Sequence, residues 1–321
     1  MCTAISARAG DCYFGRTLDV DFSYGEQVVI TPRNHLFHLR NGGEYRNRYA
    51  LMGMAAVPDR APLYYEAVNE KGLAMAGLNF PKSAVYRPPM EGVDNVALSD
   101  LLPWILGQAE DLAQARALLE RLNLSNPPGL VNAPQHFMLS DRTGSLVAEP
   151  REKGFELYEN PYDVMTNEPP FPYHLWNLRN YRHLSPVTGD NRFTDRYPLD
   201  SYAVGMGAMG LPGDTSSTSR FVRAAFNLSN SHWGDSEGER VGQFFHVLDS
   251  VAMVRGSTVT ASGKDDITLY TCCINATKGV YYYTTYTNRQ ITAIDLHKAD
   301  LNADHLFCYP LRQEEAIRFD N

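Results

Sequence analysis

The second residue of the chain combines two groups that amide hydrolysis can use. Removal of Met1 would leave Cys2 with a free α-amine, so that one residue would carry both a nucleophile and a base. An α-amine has a pKa of about 7.7–8.0, well below that of a lysine, and is therefore partly neutral near pH 7. A thiol is slightly ionised at the same pH and is intrinsically nucleophilic. Cys2 is therefore a candidate nucleophile.

Arg16 and Asp19 place a cation and a carboxylate three residues apart. Residues 2–7 and 12–18 are predicted to form short strands around a glycine-containing turn. If these strands pair antiparallel, Arg16 and Asp19 return to the neighbourhood of Cys2. Arg16 would then favour the thiolate and Asp19 would hold the α-amine, although alone the two residues are typical of a surface ion pair.

The elements that must position these residues form β blocks separated by groups of helices. Apolar residues at i, i+3, i+4 and i+7 predict two helices, from Phe221 to Leu228 and from Val241 to Val251. Further helices are predicted at 96–106, 110–122 and 173–183, and further strands at 26–32, 49–57, 73–79, 136–140, 145–149, 155–158, 163–166, 267–274, 279–286 and 290–295. This order differs from the βαβα alternation of a parallel doubly wound fold. It favours an α+β fold, with helix layers on antiparallel sheets, in one domain over residues 1–321.

Composition and charge exclude several classes of protein. The 321 residues are 44% hydrophobic, and 29 basic against 37 acidic residues give a net charge of −8. No run of about 18 apolar residues occurs, which argues against a membrane span. Without clustered cations, binding to nucleic acid or to an anionic membrane is not expected. The five cysteines match no disulfide framework and no signal peptide is evident, so a cytoplasmic protein with reduced thiols is expected.

Two motifs for other chemistry are not supported by their surroundings. Residues 205–210 fit G-x-G-x-x-G, but Leu211-Pro212-Gly213-Asp214 follows, which is typical of a loop and not of the helix that a dinucleotide site needs. The nine histidines lie in no short cysteine-flanked signature of a Cys/His protease, and no H-E-x-x-H or paired C-x-x-C occurs. No cofactor and no metal are expected.

Several segments, taken together and in order, resemble the choloylglycine hydrolase family, which contains the bile salt hydrolases and the penicillin V acylases. They are Cys2-Thr3, Phe14-Gly15-Arg16-Thr17-Leu18-Asp19, Ala76-Gly77-Leu78-Asn79-Phe80-Pro81, Thr166-Asn167-Glu168-Pro169, residues 212–223, residues 251–258 and the aromatic segment 280–286. The resemblance extends over the whole chain. It implies an N-terminal-nucleophile hydrolase with an αββα four-layer sandwich, in which two antiparallel sheets lie between helix layers.

The resemblance also implies roles for six residues. Cys2 matches the family nucleophile, and Arg16 and Asp19 match the residues that flank its thiol and amine. Asn79 and Asn167 match the asparagines of the oxyanion hole, and Arg220 matches the remaining active-site arginine. The implied reaction is hydrolysis of glycine- or taurine-conjugated bile salts without a cofactor, in a bacterial, cytoplasmic homotetramer.

A pocket for the apolar steroid is expected beside Cys2. Leu18, Val20, Phe22 and Tyr24 are predicted to alternate along one strand, with Pro58, Leu63 and Leu130 in neighbouring loops, although each of these side chains could instead belong to the core. Within the family, Asn79 resembles the bile salt hydrolases, because many penicillin V acylases carry tyrosine there. A penicillin V acylase-type amidase and a non-catalytic binder with the same fold are the alternatives.

Overall fold

Two large antiparallel sheets stack face to face in the computed structural model, which describes residues 1–58, 61–126 and 133–321. The strands are β1 (Cys2–Ala9), β2 (Asp11–Val20), β3 (Gln27–Thr31), β4 (Leu36–His38), β5 (Glu44–Arg46), β6 (Leu51–Ala56), β7 (Leu63–Asn69), β8 (Ala74–Asn79), β9 (Asn95–Ala97), β10 (Asn123–Ser125), β11 (Gln135–Asp141), β12 (Gly144–Arg151), β13 (Gly154–Glu159), β14 (Val164–Met165), β15 (Ile267–Asn275), β16 (Val280–Thr285), β17 (Thr292–Asp295) and β18 (Phe307–Pro310). One sheet has six strands in the order β14-β1-β2-β15-β16-β17, and the other has eight in the order β13-β12-β11-β8-β7-β6-β3-β18.

The described residues form five α-helices, four of which cover the outer faces of the two sheets. They are α1 (Leu101–Leu106), α2 (Leu112–Arg121), α3 (Phe171–Asn177), α4 (Ser217–Ser229) and α5 (Glu237–Asp249). Helices α4 and α5 pack on the six-stranded sheet, whereas α1 and α2 pack on the eight-stranded sheet. The predicted αββα sandwich of antiparallel sheets is thus confirmed. No helix among the described residues is both long and apolar enough to cross a bilayer.

The first hairpin forms where glycines permit close turns and close packing. Gly10 connects β1 to β2 with a φ of +76°, a conformation that other residues rarely adopt. A Cβ on Gly15 would lie 2.0 Å from the carbonyl oxygen of Cys272 on the adjacent strand, so only glycine fits there. The hairpin can therefore insert between β14 and β15, with Cys2 at its open end.

Hydroxyl caps define the start of the two helices behind this hairpin. Ser216 caps α4 by accepting a hydrogen bond from the backbone N–H of Ser219. Ser236 and Glu239 form a capping box at α5. The apolar faces of both helices then pack against the six-stranded sheet, in the same core that fills the space between the sheets.

Several elements differ from the sequence-based expectation. The helix expected at 96–106 begins only at Leu101, because Asn95–Ala97 pairs with Asn123–Ser125 as a small parallel ladder. The strand Leu63–Asn69 was not expected, although it lies near the centre of the eight-stranded sheet. In the glycine-rich segment, residues 206–208 form a single 3₁₀ turn, which agrees with a loop.

Candidate active site

Cys2 lies at the start of β1, where it faces the space between the two sheets. It is directly opposite Leu18 on β2, and Ala4 is directly opposite Arg16. Opposed residues in an antiparallel pair share a face, and side chains alternate along each strand. Cys2, Leu18 and Arg16 therefore point the same way. Arg16 reaches the carbonyl of Gly77 on the eight-stranded sheet, which identifies this as the inner face.

Asn167 connects Cys2 to two other parts of the site. Its side-chain oxygen accepts hydrogen bonds from the backbone N–H of Cys2 at 2.9 Å and from Arg220 Nη2 at 2.8 Å. Its side-chain amide donates to the carbonyl of Asn79 at 2.9 Å, and its own backbone N–H donates to Ser217 Oγ at 2.9 Å. One side chain thus links the N-terminal strand, helix α4 and the end of β8.

Arg220 fixes the backbone of the first strand from the helix side. Its Nη1 donates to the carbonyl of Cys2 at 2.6 Å and to Thr3 Oγ1 at 2.7 Å. The side chain is completely buried. Burial lowers the pKa of Arg220, while Asp19, Cys2 and Asp266 oppose that shift. The guanidinium suits this position because its five donors form a rigid fork that can hold several acceptors at once.

Arg16 lies on the thiol side of the hairpin and is almost completely buried. Its Nη1 donates to the carbonyl of Gly77 at 2.6 Å and to that of Tyr65 at 3.4 Å. Burial lowers the pKa of Arg16, but the nearby acidic groups, Cys2 first and then Tyr270 and Glu66, raise it more, and the net shift is upward. Arg16 therefore remains charged and places a fixed cation on the face of the Cys2 thiol.

Glu66, on β7, is the buried carboxylate beside Arg16. Its Oε2 lies 3.8 Å from Arg16 Nε. Tyr270 and Tyr281, both on the six-stranded sheet, donate their hydroxyls to Glu66 at 2.7 and 2.6 Å. Glu66 thus joins the two sheets beside Arg16 through its contacts with Tyr270 and Tyr281. Sequence reasoning missed Glu66 because it did not identify the strand that carries it.

Asp19 lies on the opposite face of the hairpin and is fully buried. Its carboxylate accepts from Thr17 Oγ1 at 3.1 Å and from Thr268 Oγ1 at 2.6 Å. Its backbone N–H donates to the carbonyl of Met1 at 2.9 Å. Asp19 therefore lies beside the N-terminus, with its carboxylate bonded to hydroxyl groups while Met1 is present.

The amine of Met1 contacts a second carboxylate, which the sequence analysis did not identify. It donates to the backbone carbonyl of Asp19 and lies 3.4 Å from Asp266 Oδ2. Asp266 is 5% exposed. Burial raises the pKa of Asp266, and the Met1 ammonium opposes that shift. Asp266 is separated from the hairpin by about 250 residues, so no local pattern could have indicated it.

Asn79 ends β8 and contributes its carbonyl to Asn167, while its side chain is exposed. Its strand pairs with β11, where Gln135 lies opposite Asn79. The structure therefore groups Cys2, Asn79, Asn167 and Arg220 through direct hydrogen bonds. Such a group can hold a thiol near amide donors, which is the arrangement that acyl transfer requires.

Part of the expected steroid pocket differs from its prediction. β2 ends at Val20, so Phe22 and Tyr24 lie in the segment after the strand and the predicted alternation along one strand is wrong beyond Val20. The rings of Phe22 and Tyr24 are about half exposed and 4.4 Å apart, and Tyr24 lies 6.4 Å from Tyr65. The backbone carbonyl of Tyr65 accepts a hydrogen bond from Arg16, so Tyr65 connects the aromatic pair to Arg16.

The other expected pocket residues occupy different environments. Leu18 is 5% exposed and packs in the core between the sheets, while Val20 is partly buried against it. Pro58 is exposed after β6, and Leu63 is partly buried as the first residue of β7. Leu130 lies outside the described residues.

The fold and the position of Cys2 define an N-terminal-nucleophile hydrolase, and comparison with known proteins identifies the family. A profile of the linear amide C–N hydrolases, choloylglycine hydrolase family, matches residues 2–309. The bile salt hydrolase/transferase of Lactiplantibacillus plantarum is 43% identical over 317 residues, covering 98% of both chains. The protein of the same name from Clostridium perfringens is 35% identical and covers 100% of both. The chain therefore belongs to the choloylglycine hydrolase family.

Solved structures agree with this assignment. A mutant of conjugated bile acid hydrolase from Clostridium perfringens, 35% identical, matches 100% of both chains with a TM-score of 0.93. Penicillin V acylase from Agrobacterium tumefaciens is 19% identical and matches 95% of this chain and 90% of its own with a TM-score of 0.77. The second likeness is one of fold alone.

Proposed function

We propose that this protein hydrolyses the amide bond of glycine- or taurine-conjugated bile salts, releasing the free bile acid and the amino acid. The observation that carries the proposal is the geometry around Cys2. Its backbone N–H donates to Asn167, its carbonyl accepts from Arg220, and Arg16 shares the face of its thiol. Relatives of full length that are named bile salt hydrolase/transferase support the choice of substrate.

In the proposed reaction, removal of Met1 first exposes the α-amine of Cys2. The thiolate then attacks the amide carbonyl, and amide donors of Asn79 and Asn167 stabilise the oxyanion. The α-amine passes a proton to the departing glycine or taurine, and Asp19 positions that amine. Water releases the bile acid from the thioester. Arg16 stabilises the thiolate, and Arg220 holds the Cys2 backbone in place.

The aromatic pair after β2 suits a rigid apolar acyl group. Phe22 and Tyr24 expose ring surface beside the thiol face, and burial of apolar surface contributes about 25 cal/mol per Å². A steroid loses little internal rotation on binding, so most of this contribution remains available. We therefore propose that recognition depends on the steroid more than on the amino acid. Leu18, Val20, Pro58 and Leu63 complete the proposed pocket among the described residues, and a role in steroid binding is also proposed for Leu130.

An activity panel tests the substrate. Processed enzyme is incubated with glycocholate, taurocholate or penicillin V, and release of the amine or of 6-aminopenicillanic acid is followed. Processed Cys2→Ala is the matched control for background hydrolysis. We expect kcat/KM for at least one bile salt to exceed that for penicillin V. A higher value for penicillin V would contradict the bile salt assignment and favour the penicillin V acylase alternative, and no release from any substrate would favour a non-catalytic binder.

We also propose that the chain assembles as a homotetramer through residues 187–204. Within this segment Phe193, Tyr202 and Val204 are 89, 82 and 97% exposed, which is unusual for large apolar side chains of a monomer. Light scattering of the parent and of a Phe193→Ser/Tyr202→Ser variant tests this. We expect a tetramer for the parent and smaller species for the variant, and a monomeric parent would contradict the proposal.

Two further parts of the proposal concern organisation and location. We propose that residues 1–321 form a single domain, so that unfolding in urea follows one cooperative transition.

A cytoplasmic location in a bacterium is proposed because all five cysteines are free thiols. Fractionation of the source cells would test the location.

A further inference from the structure

A buried histidine lies where the segments that carry the two asparagines meet. His136, on β11, is 1% exposed and lies directly opposite Leu78 on β8. Its ring stacks on Phe80, the residue after Asn79, with centroids 4.2 Å apart and planes within 6°. The reaction scheme above gives His136 no role.

The same ring also contacts the segment of Asn167. His136 Nε2 lies 2.8 Å from the carbonyl oxygen of Thr166, the residue before Asn167. A carbonyl oxygen only accepts hydrogen bonds, so Nε2 carries the hydrogen. One imidazole therefore touches both the residue after Asn79 and the residue before Asn167.

We propose that His136 is a positioning residue for the oxyanion site, holding the segments of Asn79 and Asn167 at a fixed separation by stacking on Phe80 and donating to the Thr166 carbonyl. This inference rests on the proposed use of Asn79 and Asn167 as oxyanion donors. His136 acts through these residues and does not touch the substrate.

A charged network fixes the orientation of the imidazole. Glu149 Oε1 lies 3.4 Å from His136 Nδ1 and accepts the backbone N–H of Phe171 at 2.8 Å. Glu149 Oε2 accepts from Arg151 Nη2 at 2.8 Å, and the guanidinium of Arg151 lies 5.3 Å from the centre of the Phe80 ring. The stacked face of the ring fixes its orientation, so Nε2 is directed at Thr166 while Nδ1 faces Glu149.

Two contacts on the backbone of Asn167 secure only its own segment. His174 Nε2 donates to the Asn167 carbonyl at 3.0 Å, and Ser217 accepts the Asn167 backbone N–H. Neither contact involves the segment of Asn79. His136 contacts both segments. They are also connected by the hydrogen bond from the Asn167 side chain to the Asn79 carbonyl, and by the Glu168 carboxylate, which accepts from the Lys82 N–H and the Ser83 hydroxyl. Loss of His136 should therefore shift the spacing of the two segments without separating them.

Small displacements at such a site have large kinetic effects. Oxyanion donors act at about 2.7–3.1 Å from the developing charge. A misplacement of about 1 Å caused by a residue away from the chemistry can lower activity by about 100-fold. We therefore expect loss of the His136 contacts to reduce oxyanion stabilisation and to leave the reactivity of the Cys2 thiol unchanged.

Two reagents separate these effects without depending on the bile salt assignment. Attack of Cys2 on p-nitrophenyl acetate passes through an oxyanion, whereas alkylation by iodoacetamide occurs at a saturated carbon and forms none. Both rates are measured on processed protein in a Cys308→Ser background, because Cys308 is an exposed thiol. Peptide mass mapping confirms that each reagent modifies Cys2.

Three variants and one control complete the design. His136→Phe keeps a stacked ring but removes the donor, His136→Gln retains an N–H donor, and Glu149→Gln removes the charge that faces Nδ1. His35→Phe is the matched control, because His35 also packs against a phenylalanine, Phe37, with ring centroids 4.9 Å apart but outside the site. Circular dichroism and melting temperature identify any variant that fails to fold.

We expect His136→Phe to slow acylation by up to about 100-fold and alkylation by less than about twofold. His136→Gln should recover part of the acylation rate. Glu149→Gln should slow acylation less than His136→Phe does, again with little effect on alkylation. His35→Phe should match the parent in both reactions. Equal slowing of both reactions, or no loss of acylation in folded His136→Phe and Glu149→Gln, would overturn the proposal. If the parent is inactive on bile salts but His136→Phe still slows acylation much more than alkylation, only the proposed substrate is contradicted.

Discussion

Two substitutions of Asn167 separate its donor role from its acceptor role. Asn167→Ala removes the acceptor for Cys2 and Arg220 together with the donor to Asn79. Asn167→Asp keeps an oxygen for Cys2 and Arg220 but replaces the side-chain amide donor by a second oxygen. Both variants lose the donor, whereas only the alanine variant loses the acceptor.

The structure gives different magnitudes for stability and for catalysis. A hydrogen bond to a charged group contributes about 1.5–3 kcal/mol and a neutral one about 1 kcal/mol, and a partner left buried without a bond adds a further penalty. Asn167→Ala, which leaves the buried Arg220 without one acceptor, should therefore lose about 3 kcal/mol of unfolding free energy. Asn167→Asp should lose about 1 kcal/mol or less, because a carboxylate also pairs with Arg220. Loss of an oxyanion donor lowers kcat by about 10²–10³-fold, and both variants should show this.

The assay combines urea unfolding with steady-state kinetics on glycocholate for the processed parent and both variants. We expect kcat to fall in both with KM little changed, because the oxyanion exists mainly in the transition state. The unfolding free energies should separate the two variants. If folded Asn167→Asp keeps kcat within about threefold of the parent, or changes only KM, the donor role of Asn167 is wrong.

Three other outcomes follow from the same geometry. Cys2→Ser should fold normally but lose at least about 10²-fold in kcat, because a hydroxyl is much harder to ionise than a thiol, and full turnover by the processed variant would exclude Cys2 as the nucleophile. A non-removable N-terminal extension should slow turnover because an amide nitrogen is not a base, and intact Met1 in fully active enzyme, detected by mass spectrometry, would contradict this. Burial lowers the pKa of His174 from 6.5 to about 4, so the unfolded chain binds this proton first and stability should fall by up to about 3 kcal/mol as the pH decreases from about 6.5 to 4. Urea titrations should show a flatter pH dependence for His174→Gln, and an unchanged slope would mean that another group is responsible.

Local patterns were sufficient to predict the hairpin that carries the nucleophile. The short strands around Gly10 and the spacing of Arg16 and Asp19 indicated that both would return to Cys2, and the register agrees. The helix of Arg220 also follows from sequence, because hydroxyl caps precede a clear apolar stripe. Asn167, in contrast, entered only through the family resemblance, since an asparagine before Glu168-Pro169 could equally be a cap.

Groups that depend on long-range contacts could not be predicted. Glu66 is the central residue of β7, and its carboxylate interrupts the apolar pattern expected of a buried strand. Its partners Tyr270 and Tyr281 are about 200 residues away, so only the stacked sheets reveal why the charge is tolerated. His136 and Asp266 are similar cases, because their role depends on partners from distant segments.

Phe22 and Tyr24 lie on a different element from the one that the sequence pattern predicts. Alternation of apolar residues continues from Leu18 through Tyr24, which predicts one continuous strand. The ladder ends at Val20, where the paired strand β15 begins at Ile267, so the residues beyond it have no partner on that side. Strand length is therefore set by the neighbouring strand, which the pattern alone does not contain.

The structure separates assembly of the site from its activation. With Met1 in place, the backbone N–H of Cys2 already donates to Asn167, and Arg220 already holds the Cys2 carbonyl. Arg16, on the inner face, is fixed by carbonyls of the other sheet, and none of these contacts uses an atom of Met1. Loss of Met1 therefore converts an amide nitrogen into an amine at a position where its hydrogen-bond acceptor already exists. In the proposed activation, removal of Met1 would leave these contacts of Asn167, Arg16 and Arg220 unchanged.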